Sequence, residues 1–184
     1  GFQDTDGCPD VVPPPTDTTA PVITYSITDG TLGNNGWYTS DITISWNVSD
    51  PESTFTTTGC ETLIDIDTAG TTITCEATSD GGTASKSVAI KLDKTAPTIT
   101  GAPTTSPNAN GWYNSDVTVS YTASDVLSGL VSTPSDTVIS TEGSSQSTSQ
   151  TVTDLAGNSA TATISDIKLD KTAPTITGAP TTSP

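Results

Sequence analysis

Seventeen consecutive residues, Lys-Leu-Asp-Lys-Thr-Ala-Pro-Thr-Ile-Thr-Gly-Ala-Pro-Thr-Thr-Ser-Pro, occur twice without a difference, at Lys91–Pro107 and at Lys168–Pro184. The offset between the copies is 77 (Lys91 to Lys168). A looser copy, Thr18-Thr19-Ala20-Pro21-Val22-Ile23-Thr24, stands near the start. Self-similarity at a fixed period marks a tandem array. Each copy reads as a seam, where the last strand of one repeat gives way to the first strand of the next. Pro97 and Pro103 exclude helix and central strand, so the seam is expected to be extended and stiff.

Between the seams the apolar residues keep a period of two. Ile42, Ile44, Trp46 and Val48 alternate with polar residues, as do Ile73, Cys75 and Ala77, and then Val88, Ile90 and Leu92. That is the pattern of strands with one buried face. Leu63, Ile64 and Ile66 mark a further short strand, and Asp50-Pro51-Glu52-Ser53 and Ser79-Asp80-Gly81-Gly82 read as turns. About seven short strands with turns every 8–12 residues predict a β-sandwich. No stretch shows the helical i, i+3, i+4, i+7 pattern.

A second unit aligns on the first at a constant offset of 75 through its middle. Trp37-Tyr38 falls on Trp112-Tyr113, Ile42, Ile44 and Trp46 on Val117, Val119 and Tyr121, Phe55 on Leu130, and Leu63-Ile64 on Val138-Ile139. The same offset puts Gly82 on Gly157 and Thr83 on Asn158. The expected organisation is an acidic, Pro-rich linker over 1–16, sandwiches over 17–93 and 94–171, and the first strand of a further repeat over 172–184. Apolar residues are sparse in Ser132–Ser149, and strands are hard to place there.

Asn110–Val119, Ser124–Leu130, Thr153–Asn158 and the Asp-Lys-Thr-Ala-Pro seam together resemble bacterial Ig-like repeats. The first unit is also similar to the hyalin-repeat variant, through Ala69–Thr78. The resemblance implies an all-β fold of tandem immunoglobulin-like sandwiches in surface-exposed microbial proteins. In the hyalin-repeat pattern the cysteines equivalent to Cys60 and Cys75 bridge, which implies an oxidising, extracellular setting. Both positions change together in the second unit, to Ser135 and Gln150, as a working pair would. Cys8 is left without a partner in this reckoning. Asp4, Asp6 and Asp10 around Gly7 resemble the tail of a thrombospondin type 3 calcium repeat, with a solvated acidic linker as the plainer reading.

Composition narrows the chemistry. There are 21 acidic and 5 basic residues, no histidine, and a net charge of −16, which repels nucleic acid and anionic membranes. Without histidine there is no Ser-His-Asp or Cys-His arrangement. No catalytic residues are expected. Calcium is the one candidate cofactor, with Asp93 and Asp170 at the seams and Asp50, Asp125 and Asp154 on turns as further oxygen ligands; turn formation alone also explains these aspartates. The pairs Trp37-Tyr38 and Trp112-Tyr113 are ligand-contact candidates for a sugar ring or a protein, or packing at a sandwich edge. Asn47, in the sole Asn-x-Ser/Thr sequon, is expected to face solvent and is the glycosylation candidate.

The expected role is a structural spacer in an extracellular repeat protein such as an adhesin, stalk, S-layer or filament component. A carbohydrate- or protein-binding module, or an accessory region of a large secreted enzyme, are the alternatives. Expected partners are neighbouring repeats and, through Thr172–Pro184, other copies joined by strand addition, with Ile176 as the residue to be buried. A surface glycan or protein is a further candidate partner.

Overall fold

The computed structural model describes residues 16–179, and these contain strands and no helix. Contacts divide the chain at the Asp93–Lys94 bond into two compact units. The repeat register is almost the same: its second copy opens one residue earlier, at Asp93, as the first opens at Asp17.

The first unit has seven strands: β1 (Val22–Asp29), β2 (Trp37–Tyr38), β3 (Ile42–Ser49), β4 (Thr56–Thr58), β5 (Leu63–Ile64), β6 (Thr68–Ser79) and β7 (Gly82–Leu92). They form one sheet in the order β1-β3-β5 and another in the order β2-β7-β6-β4. All pairings are antiparallel except β2 with β7, where Trp37 and Tyr38 lie beside Lys91 and Leu92. The alternation read from the sequence supplies the core. Ile42, Ile44 and Ile64 of one sheet meet Ile73, Val88, Ile90 and Leu92 of the other, all buried. Each such side chain contributes about 1.5–3 kcal/mol on leaving water, and the polar residues between them keep the outer faces wet. Ile66 is 76 % exposed and lies outside β5, so the third apolar residue of that stretch does not extend the strand.

The second unit has six strands: β8 (Thr98–Pro103), β9 (Trp112–Tyr113), β10 (Val117–Ser124), β11 (Thr137–Ile139), β12 (Gly143–Thr153) and β13 (Ser159–Leu169). The sheets run β8-β10-β11 and β9-β13-β12, and Val117, Val119, Tyr121 and Ile139 pack against Ile167 and Leu169. Among the described residues the second unit has no counterpart of β4. Gly59, which follows β4, has φ +68°, and Pro134 occupies its place; proline's ring holds φ near −65°, so the chain leaves by another path.

Strand register corrects the constant offset of 75. Val22 faces Ser49 as Thr98 faces Ser124, so β1 and β8 differ by 76. A β-bulge between Ile27 and Asp29 brings the count down to 75. At the far hairpin, Thr78 shares a hydroxyl hydrogen bond with Thr83, and Thr153 with Ser159. Thr83 therefore corresponds to Ser159, not Asn158, and the second unit's turn is one residue longer. A last residue enters at Asp166, which has φ +62° at a break in the β12–β13 register, and this completes the 77.

One substitution between the units is compensated. Tyr25 faces Trp46 across β1 and β3, with ring centroids 5.4 Å apart. The second unit places Gly101 opposite Tyr121, and the Tyr121 ring fills the space that a larger partner would occupy.

Candidate metal centre

The acidic group is built by two turns of the second repeat and the residue that opens it. Asp125 follows β10, and its Oδ1 accepts the N–H groups of Leu127 (3.1 Å) and Gly129 (2.6 Å) and the Ser128 hydroxyl (3.4 Å). Aspartate suits this position because a short carboxylate can close a turn on its own backbone. Asp154 does the same after β12. Its Oδ1 accepts from the N–H groups of Gly157 (2.6 Å) and Asn158 (2.8 Å), and its Oδ2 from Asn158 Nδ2 (2.9 Å). A backbone bond from Leu155 N–H to the Gly129 carbonyl (2.8 Å) holds the turns side by side. Asp93 opens the repeat, and its N–H donates to the Tyr38 carbonyl (2.9 Å).

Asp93, Asp125 and Asp154 each offer an oxygen, and these lie within 4.8 Å of one another. Asp93 and Asp154 are fully buried. Calcium binds oxygen at about 2.3–2.6 Å, so two ligands across one ion are up to about 5 Å apart, and the spacing fits. An all-carboxylate donor set without nitrogen or sulfur suits a hard cation rather than zinc. Gathering like charges in a buried corner is costly, and a divalent ion would offset that cost.

The first repeat closes the corresponding corner differently. Asp17 stands where Asp93 stands, Asp50 where Asp125 stands, and Ser79 where Asp154 stands. Asp17 Oδ2 accepts from the Ser53 hydroxyl (2.5 Å) and the Gly81 N–H (2.7 Å), and Oδ1 from the Thr19 N–H (3.1 Å). The Ser53 hydroxyl above all, with the Thr19 and Gly81 N–H groups and Ser79, outweighs desolvation and holds the Asp17 carboxyl far below the usual carboxylate range. Asp50 Oδ1 accepts the N–H groups of Glu52 (2.9 Å) and Ser53 (3.3 Å), while its buried Oδ2 has no hydrogen-bond partner among the described residues. Sequence reasoning missed Asp17, Ser53 and Gly81 as a unit; the available signal was the alignment of Asp17 with Asp93 and Asp170.

The remaining candidates disperse. Asp170 is exposed and closes a local turn by accepting from the Thr172 N–H (3.0 Å); it is not in the acidic group. Asp4, Asp6, Asp10 and Cys8 lie outside the described residues. Cys60 and Cys75 are disulfide-bonded, with Cα atoms 4.2 Å apart. In the second unit Gln150 Nε2 donates to the Ser135 hydroxyl at 3.5 Å, a long hydrogen bond in the disulfide's place. Trp37 is buried, with Lys91 Nζ 5.4 Å from its ring centroid, so its ring is no open platform; Tyr38, Trp112 and Tyr113 are half-buried. Asn47 is exposed, as its place in β3 requires. Ile176 is 97 % exposed and lies in no strand.

No known protein-family profile matches the chain, and no curated protein does. No helix among the described residues is long and apolar enough to cross a membrane.

Proposed function

We propose that the chain is a non-catalytic, load-bearing spacer of an extracellular repeat protein such as a surface adhesin, stalk, S-layer or filament component, built of Ig-like sandwiches. The observation that carries this reading is where each unit's terminal strands lie. β1 belongs to one sheet and β7 to the other, and each is zipped along its length, β1 to β3 and β7 to β6. The second unit repeats this with β8 and β13. Tension on the chain ends therefore loads long ladders of hydrogen bonds rather than loose loops. The disulfide agrees with an oxidising, extracellular setting.

Single-molecule stretching of the chain tests the proposal. Two discrete unfolding events are expected. The disulfide-locked first unit should release about 50 Å less length than its residue count allows, from 15 residues at about 3.3–3.6 Å each. Gradual extension without discrete events would refute a load-bearing role.

A second, compatible reading is that calcium occupies the corner of Asp93, Asp125 and Asp154, and the two buried carboxylates favour it. Repeating the stretching with a chelator should then weaken the second unit's event and leave the first unit's unchanged. Equal traces in both conditions would remove calcium and leave the spacer.

A further inference from the structure

The sandwich of the first unit is open along one side. β5 is the outer strand of its sheet and only two residues long. On the facing sheet β4 covers β6 only at Glu76–Thr78, leaving the earlier part of β6 uncovered on that side. Between these edges lies a cleft of about 400 Å³. Its floor is Ile64 and Ile73, both members of the buried core, and Leu63 and Ile66 stand at its mouth, 55 % and 76 % exposed. Exposed Glu61 and Asp65 line the same cleft. Apolar surface with carboxylates around it, on a chain of net charge −16, complements a segment that is both apolar and cationic.

The disulfide binds the two walls together. Cys60 precedes Glu61 on one wall, and Cys75 follows Ile73 by two residues in β6 on the other. A crosslink at this place fixes the width of the cleft before anything enters it, which lowers the ordering cost of binding. The second unit serves as an internal contrast. There Glu61 and Leu63 persist as Asp136 and Val138, but Asp65 becomes Ser140, Ile66 becomes Thr141, and the disulfide is replaced by the Gln150–Ser135 hydrogen bond.

We propose that this cleft is a docking site for an extended segment of a partner protein with alternating apolar and Lys or Arg residues. The segment would add to the β5 edge, placing apolar side chains over Ile64 and Ile73 and basic ones toward Glu61 and Asp65. This is peptide recognition by strand addition, in which backbone pairing supplies adhesion and pockets for alternate side chains supply selectivity.

The probe is a synthetic (Val-Lys)5 peptide titrated into the full chain, with amide shifts followed by NMR. Shifts concentrated in Glu61–Ile73, at lower affinity for the equally charged (Ser-Lys)5, are expected. The variant Asp65→Ser/Ile66→Thr carries the second unit's own residues, which that fold already tolerates, and should bind (Val-Lys)5 at least about tenfold more weakly, or about 1.4 kcal/mol. Reduction of the disulfide should weaken binding in the same direction. Shifts spread over the acidic surface, or equal affinity for both peptides, would reduce the effect to general charge attraction and overturn the proposal. Self-association of the chain that the double variant abolishes would assign the cleft to a second copy and overturn it equally.

Discussion

Replacing the Cys60–Cys75 disulfide by the pair that stands in its place in the second unit, Cys60→Ser with Cys75→Gln, separates crosslinking from fold. The bridge closes a loop with a sequence separation of 15. In the chain-entropy treatment, tying such a loop in the unfolded state stabilises the folded one by about 3 kcal/mol. The substitute can recover little: the Gln150–Ser135 hydrogen bond is long at 3.5 Å and solvent-exposed, and contributes at most about 0.5 kcal/mol. A net loss of about 2.5 kcal/mol in a domain of this size corresponds to a fall in Tm of roughly 10–20 °C. Scanning calorimetry of the whole chain resolves the outcome, because each unit has its own core and should give its own transition. The first unit's transition should fall by that amount and the second unit's should stay in place; reductant should reproduce the shift in the unaltered chain and do nothing to the variant. A fall of less than about 3 °C would mean that β6 and its surroundings already restrict the unfolded loop, and the entropic reasoning would be wrong here.

Asp17 sets an acid limit for the first unit. Because its carboxyl is held well below the ordinary value of about 3.9, it stabilises the fold fully above that value, and the contribution is lost as pH falls toward the depressed one. Asp17→Asn should lower the first unit's stability at pH 7 and flatten its acid dependence below about pH 4; an unchanged pH profile would show that the hydrogen bonds to Ser53, Thr19 and Gly81 do not persist in solution. Gly101→Ala adds a methyl that would lie 2.6 Å from the Tyr121 ring, so denaturant unfolding should show the second unit destabilised by about 1–3 kcal/mol, against the gain that alanine's backbone alone would bring. A neutral or stabilising result would mean that the ring moves aside freely.

The core was legible because its signal is periodic. Ile42, Ile44, Val88, Ile90 and Leu92 fall on one face of a two-residue repeat, and burial of that face decides the strand. The irregularities were not, because a bulge inserts one residue without altering the apolar pattern enough to be noticed. Asp166 sits between exposed Ser165 and buried Ile167, and only the pairing of Gln146 with Ile167 and Thr148 with Ile164 reveals the extra residue. The site was half legible for a different reason. Turn aspartates such as Asp125 and Asp154 announce themselves through neighbouring glycines, yet the partners of Asp17 are chosen by folding: Gly81 is 64 positions away. A side chain at Gly81 would collide with Asp17 Oδ1 and the Thr19 carbonyl, so the glycine and the aspartate form one device. No local pattern joins them.

Three of the differences between the repeats involve residues that are neighbours in space, and that constrains how the array could have diverged. Tyr25 with Trp46 becomes Gly101 with Tyr121, where the smaller residue on one strand meets a ring on the next. Cys60 with Cys75 becomes Ser135 with Gln150, which still touch. Asp17, Asp50 and Ser79 become Asp93, Asp125 and Asp154, and here the exchange is not neutral: a hydroxyl is replaced by a carboxylate within 4.8 Å of two others. The first repeat thus has a covalent clamp and a corner closed by hydrogen bonds from Ser53, Thr19 and Gly81. The second has a weaker clamp and a corner with one carboxylate more. A cation bound there would restore closure where the disulfide is missing, and would tie the loss of one fastening to the gain of the other carboxylate. Ser79→Asp in the first unit tests this coupling directly. With Asp17 already satisfied by its own N–H and hydroxyl donors, the added carboxylate should destabilise the first unit in chelator, and calcium should reverse the loss. Indifference to calcium would show that the two corners are unrelated solutions, and that the acidic group of the second repeat is turn chemistry alone.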